Sequence, residues 1–171
     1  QDETSFEARR TGVDLTLSRR LTQKTSAFLS TIMERDTVQI KGKVEDKDVE
    51  DLYNKSIIRV GVNHNSTDQI FTPRRGQIST YYIEEAGRFL ATPFKYLKFF
   101  TEHRIYRKLS NKNVLAAKFS IGTMKATRGT DETPIEERFF AGGNYSMRGW
   151  KRQEVGPAKT DTTGGVVPVG G

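Results

Sequence analysis

The sequence predicts an all-β fold: about six antiparallel strands that form part of a transmembrane β-barrel. Three observations carry this. Apolar residues recur with period two, and helical periodicity is poor throughout. The strand-like segments run to about 9–14 residues, enough for the roughly 9–11 that a tilted strand needs to cross a membrane. Short polar connections alternate with long ones that are charged or glycine-rich, as turns and loops do on the two sides of an outer-membrane barrel.

The elements follow in order. Val13, Leu15 and Leu17 alternate with Asp14, Thr16 and Ser18, and the polar stretch Thr22–Thr25 makes a short reversal. The return segment, about 26–37, carries Phe28, Leu29, Ile32 and Met33, and its faces stay ambiguous. Lys41–Asn54 is the most charged stretch and is expected as a long loop with at most a helical turn. Ile58, Val60 and Val62 then alternate with Arg59, Gly61 and Asn63 in a clean strand. The next turn, Ser66–Gly76, is punctuated by Asp68, Pro73 and Gly76. Gln77–Glu84 is a tyrosine-rich strand, linked by Gly87–Pro93 to the segment Phe94–Tyr106.

In that segment Lys98, Glu102 and Arg104 share one parity, so their charges point to one face. Leu97, Phe99, Thr101, His103 and Ile105 take the other. After the polar turn Leu109–Asn113, a last strand Val114–Ala126 sets Lys118, Ser120 and Gly122 against Leu115, Ala117, Phe119 and Ile121. The expected organisation is therefore strands over 1–126 and one long loop over 127–171. The turns at Thr22, Ser66 and Leu109 fall on one side, and the longer connections on the other.

Composition narrows the class. Hydrophobic content is 35%, below the roughly 45–50% of a soluble domain with glycine counted; a barrel with a wet interior needs few continuous apolar runs. There is no cysteine, so no disulfide, cysteine-ligated metal or thiol nucleophile is available. No apolar run approaches the roughly 20 residues of a spanning helix. The chain starts at Gln1 without a signal peptide and is expected to be a processed or excised piece. The net charge of +7 invites a nucleic-acid reading. Its bases are interleaved with acids, as in Lys41–Asp51, and no recognition motif accompanies them, so nucleic acid is not expected as a partner.

Nothing points to catalysis or a cofactor. His64 and His103 lack metal-ligand spacing. Ser146 lies in Gly-Asn-Tyr-Ser-Met-Arg-Gly, which is not a nucleophile elbow. Glu84 and Glu85 are adjacent and point to opposite faces of their strand. The pattern alone leaves a soluble β-sandwich or lipocalin-like barrel as the alternative, which would act as a binding module with a basic face. Closure bears on the membrane reading: an open sheet edge cannot face hydrocarbon, and single-chain barrels begin at about eight strands. Six strands would be a fragment of a larger barrel.

The organising stretch is Arg138–Trp150, Arg-Phe-Phe-Ala-Gly-Gly-Asn-Tyr-Ser-Met-Arg-Gly-Trp. On chemistry alone it is a plug or latch, or a glycine-rich surface loop. Together with Gly156-Pro157 and the closing Pro168-Val-Gly-Gly171, it resembles the sixth extracellular loop of the BamA/TamA superfamily. Thr67-Asp68 with Phe71, Pro73, Arg75 and Gly76 resembles that family's periplasmic turn, and Tyr96-Leu97-Lys98-Phe99 its following strand. The matches fall in family order over about 57–171. Met147 stands where the family has Val or Ile, and Trp150 where it has Phe or Tyr, which leaves the subfamily open.

The resemblance implies a barrel of roughly 16 strands, within the even-numbered range of such proteins, preceded by periplasmic POTRA domains. This chain would supply its sixth to eleventh strands. Its implied function is insertion or translocation of client proteins at the bacterial outer membrane, with a two-partner secretion pore as the alternative. The implied partners are outer-membrane lipid, unfolded membrane or secreted clients, the POTRA domains and accessory proteins. Arg148, with Met147, Gly149 and Trp150, takes the lumenal latch role, supported by Arg138, Phe139, Gly142, Gly143, Gly156 and Pro157. Lys98, Glu102 and Arg104 would line the lumen; Tyr81, Tyr82, Phe94 and Tyr96 either join an interfacial girdle or are ordinary strand-packing residues, and the sequence suits both equally.

Overall fold

The computed structural model describes residues 6–40, 49–87, 92–127, 129–130, 133–142, 149, 155–160 and 166–168. Six strands, β1 (Phe6–Arg20), β2 (Thr25–Ile40), β3 (Val49–Asn65), β4 (Gly76–Ala86), β5 (Tyr96–Lys108) and β6 (Val114–Ala126), form one sheet in sequence order. Every neighbouring pair is antiparallel. Among the described residues a 3-10 turn, Ile135–Glu137, follows, then a small hairpin of β7 (Ala158–Thr160) and β8 (Val166–Pro168).

One expectation is corrected here. Residues 49–54 are not loop: β3 begins at Val49 and pairs with β2 in unbroken register from Ile40↔Val49 to Thr25↔His64. Their acids and lysines at helical spacings do not decide the local structure, because the cross-strand ladder satisfies the backbone whatever the side chains are.

The two faces differ sharply. One carries an apolar band across all six strands, including Leu15, Leu29, Val60, Ile83, Phe99 and Phe119, and all of these are exposed. The opposite face, called inner here, buries Ile57, Ala86 and Tyr96 with Ile32 and Met124 beside them, and also buries Ser30, Asp36, Lys55, Glu84 and Lys98. The usual arrangement, apolar inside and polar outside, is inverted, which accounts for the low hydrophobic content. The girdle expectation divides accordingly. Tyr81 is outward, whereas Tyr82 and Tyr96 take the inner face and Phe94 packs edge-on to Tyr53 at 4.9 Å.

The connections 21–24, 66–75 and 109–113 lie at one end of the sheet, and β2 to β3 and β4 to β5 are joined at the other; the expected division into short and long connections fails at 66–75, which is longer than either 41–48 or 87–95. The middle turn is locked by its own side chains. An Asp68 carboxylate oxygen accepts the backbone N–H groups of Arg74 at 2.9 Å and Arg75 at 3.1 Å. These bonds hold the carboxyl below the usual carboxylate range. Gly76 closes the turn at φ +103°, and a Cβ there would run into the Ser66 carbonyl and the Thr67 backbone. Gly76→Ala is therefore expected to destabilise the folded barrel by about 2–3 kcal/mol, strain and clash together. Denaturant titration of the refolded protein measures it.

Candidate functional site, a loop seated on the inner face

After β6 the chain turns back over the inner face. Pro134 supplies an extended entry (φ −55°, ψ 133°) and the 3-10 turn Ile135–Glu137 follows. Arg138 fastens this turn from within: its Nε donates to the Thr133 carbonyl and hydroxyl at 3.0 Å each, and its Nη2 to the same carbonyl at 2.6 Å. The clamp aims Glu136 and Glu137 at the sheet.

Glu137 is the centre of the contact. Its Oε1 accepts from Lys55 Nζ at 2.7 Å, and its Oε2 from Lys98 Nζ at 3.0 Å. Lys98 also donates to the Glu137 carbonyl at 2.9 Å. Lys55 is held from the other side by Asp36 at 2.7 Å and lies 3.8 Å from Glu34, its register partner. Arg10 stands 3.4 Å from Glu137 and 3.9 Å from Asp36. One loop carboxylate thus ties β1, β3 and β5 together. Lys55 and Asp36 are almost wholly buried. Such ions cost several kcal/mol each to desolvate, and only close, multiple pairing offsets that cost.

The two glutamates respond to pH in opposite ways. Burial disfavours the charged form of Glu137, but the Lys55 and Lys98 ammonium groups outweigh it and hold the carboxyl below its ordinary value. Glu136, which accepts from the Tyr53 hydroxyl, is pushed up to about 7, by burial first and then by the neighbouring Glu137 and Asp36 charges. A lowered carboxyl pKa gives stability that is present above the ordinary value and lost as pH falls below it. A raised one gives a penalty that grows from the ordinary value, 4.5, up to about 7 and is then constant. Loop seating is therefore expected to be tightest near the ordinary glutamate value and to weaken toward pH 7. Glu136→Gln is expected to flatten the upper limb and protect the loop at pH 8. Protease accessibility of the loop against pH reads both.

Beside the ionic seat lies an aromatic one. The Phe139 ring rests on Gly122 of β6, where a Cβ would fall among its ring carbons. It stacks on Phe100 at 6.1 Å and 15°, with Lys98 Nζ 5.1 Å from its centroid. Phe100 stacks in turn on Tyr82 at 5.1 Å, and the Arg59 guanidinium sits 4.9 Å from the Tyr82 centroid. Glu84 finishes the row, accepting from Arg59 at 2.6 and 2.8 Å and from the Tyr96 hydroxyl at 2.9 Å. Cation–π and ring-stacking contacts of this kind add about 0.5–2 kcal/mol each when partly desolvated.

Of the residues picked out from sequence, Arg138, Phe139 and Lys98 meet at this seat. Glu102 and Arg104 share the inner face but form a separate group, with Glu102 accepting from Arg104 at 2.7 Å and paired to Lys118 at 3.0 Å. Gly142 has φ +112°, next to an isolated bridge between Ala141 and Val155 (N···O 3.3 and 3.1 Å) that closes the loop's base. Gly149, at φ +92°, and Gly156 and Pro157 are exposed. Gly143, Met147, Arg148 and Trp150 lie outside the described residues. Asp68, Pro73 and Gly76 form the turn described above. Sequence reasoning missed Lys55, Asp36, Glu137 and the docking role of Gly122. Only Gly122 had a local signal, since a glycine inside a strand marks close approach of another group. Among the described residues no three His, Asp or Glu side chains group as a metal site. His64 and His103 are on the outer face, hydrogen-bonded through Nδ1 to Thr25 at 3.0 Å and Ser79 at 2.6 Å.

Comparison with known proteins agrees with this architecture. Over 102 residues the chain is 26% identical to the outer membrane protein assembly factor BamA of Nitratidesulfovibrio vulgaris, covering 60% of this chain and 13% of that protein. Its fold matches the crystal structure of BamA from Haemophilus ducreyi lacking POTRA domains 1-3 with a TM-score of 0.72 at 19% identity, over 90% of this chain and 32% of that one. The chain thus spans a third or less of the proteins it matches. The likeness establishes the fold as part of an antiparallel outer-membrane barrel. Residues 1–168 match the Omp85 superfamily domain, and the chain belongs to that superfamily.

Proposed function

We propose that this chain is the lumenal-loop seat of a BamA-type barrel, and that the whole protein inserts or translocates β-barrel or other client proteins at the bacterial outer membrane. The observation that carries the reading is the buried anchoring of Glu137 by Lys55 and Lys98 on two different strands. A passive loop has no need of so costly a contact, whereas a loop that maintains the shape of an opening barrel does. In this reading residues 1–126 are wall and 127–171 are loop. Arg138, Phe139, Gly142, Gly143, Gly156 and Pro157 carry the tip Met147-Arg148-Gly149-Trp150 to the wall, where the Arg148 guanidinium makes a bidentate or stacked contact. Lys98, Glu102 and Arg104 keep the adjoining lumen polar. The partners are outer-membrane lipid, unfolded clients, periplasmic POTRA domains and accessory proteins. No nucleic acid, cofactor or catalytic residue enters.

The test is client folding by the full-length protein reconstituted in liposomes. Wild type is expected to accelerate it, and Arg148→Ala to lose about tenfold or more of that acceleration, the worth of one charge-assisted contact. Clients that fold equally fast with and without the protein would overturn the assembly function. Undiminished acceleration by Arg148→Ala would remove the latch role alone.

A further inference from the structure

The inner wall pairs its acids with its bases, so it does not account for the chain's net charge of +7. The excess sits at the end of the sheet that carries the turns 21–24, 66–75 and 109–113. These three turns, each taken with one flanking residue on either side, hold Arg20, Lys24, Arg74, Arg75, Lys108 and Lys112 against a single acid, Asp68. The connections 41–48 and 87–95 and the segment 127–171 together hold eleven bases against nine acids, a far smaller excess for their length. Asp68 offsets only one of these charges and leaves the rim strongly basic; its carboxylate is held by backbone N–H groups of its own turn and not by the side chain of any of the six bases. Among the described residues none of the six cations makes an ion pair.

Each of these turns also exposes a bulky apolar side chain beside its bases. Leu21 is 57% exposed, Leu109 64%, Ile70 82% and Phe71 95%. The middle turn is not loose: Asp68 caps it, Gly76 closes it, and Arg74 reaches across to the Asn111 carbonyl of the third turn. Ile70 and Phe71 are therefore held out on a braced tip. A protein interface would gather its apolar groups in one central patch. Here they are spaced one turn at a time along the rim, at the edge of the same sheet whose outer face carries the apolar band. That spacing suits a continuous surface.

We propose that this rim binds a negatively charged phospholipid surface. The apolar tips of the three turns enter the headgroup region, and Lys24, Arg74, Arg75 and Lys112 lie on lipid phosphates. Long basic side chains reach a headgroup layer while their stems stay against apolar surface, and each such cation adds an attraction that salt screens. The rim then fixes the height of this part of the barrel in the bilayer. This assignment is independent of what the lumenal loop does.

The experiment places an environment-sensitive fluorophore on Phe71→Cys in the full-length protein, with no other cysteine present. The protein is reconstituted in phosphatidylcholine alone and in phosphatidylcholine with about 30 mol% phosphatidylglycerol, a typical anionic surface. The expected result is a blue shift that is larger in the anionic vesicles and collapses to the zwitterionic value near 1 M salt, where the screening length is about 3 Å. Replacing Lys24, Arg74, Arg75 and Lys112 together by glutamine is expected to abolish the anionic increment. The salt arm needs no variant, so the test stands even where the fourfold change impairs folding. Equal emission in the two vesicles at low salt would overturn the proposal. So would a shift that arises only on adding an accessory protein, which would make the rim a docking face for an acidic partner instead.

Discussion

Glu137→Ala is expected to unseat the loop from the inner face and to cost about 3–5 kcal/mol, the usual penalty for removing one partner from a buried ionic group. The size follows from what remains. Lys98 keeps no other acid within the cluster, and Lys55 keeps only Asp36 and the more distant Glu34. Both ammonium groups stay out of water on the wall. Glu137→Gln retains the shape and one acceptor, so its effect is expected to be smaller but of the same sign. Proteolysis at Arg138 and melting of the refolded barrel separate unseating from unfolding. A second change makes the interpretation specific: Lys98→Met in the Glu137→Ala background removes an orphaned charge and is expected to recover part of the loss. A double-mutant cycle with near-zero coupling would show that the pair does not hold the loop. A single-variant loss below about 1 kcal/mol would put Glu137 among ordinary surface contacts.

The outer face of this fold was legible because lipid and water impose opposite demands on successive residues. β6 is found over Val114–Ala126, where alternation alone places it, and Lys98, Glu102 and Arg104 share one face of β5 as their parity requires. The start of β3 was not legible. Near Val49 the local pattern of acids and lysines lacks alternation, and only the register with β2 defines the strand. The inner seat was less legible still. Arg10 lies opposite Asp36, and Lys55 opposite Glu34, through strand register. Glu137 joins them only because the chain folds back 82 residues after Lys55. In the sequence each looks like a solvated charge, since burial of an ion depends on partners that no local window contains. The aromatic residues were undecided for the same reason: Tyr82 and Tyr96 suit an interfacial girdle or strand packing equally by type, and it is Arg59 and Glu84 on the inner wall that draw them inward.

Gly122→Val tests the other half of the seat, and its logic separates loop from strand. A β-branched residue is favoured in a β-strand, so β6 itself gains from the change. The position is closed by Phe139, whose ring carbons Cζ, Cε1 and Cε2 occupy the space of the new side chain. The ring must leave, losing its stack on Phe100 and its place under the Lys98 ammonium. The expected cost to loop seating is about 2–4 kcal/mol, comparable with truncating the phenylalanine outright. Because Lys98 serves both the ring and Glu137, displacing Phe139 is also expected to loosen the ionic contact. In the Phe139→Ala background there is no ring to displace, and Gly122→Val is expected to be nearly neutral. Loop protection against protease, measured across the four proteins of that cycle, gives the coupling directly. A Gly122→Val protein whose loop stays protected, with Phe139→Ala equally without effect, would mean that the ring only covers the wall and does not hold the loop there.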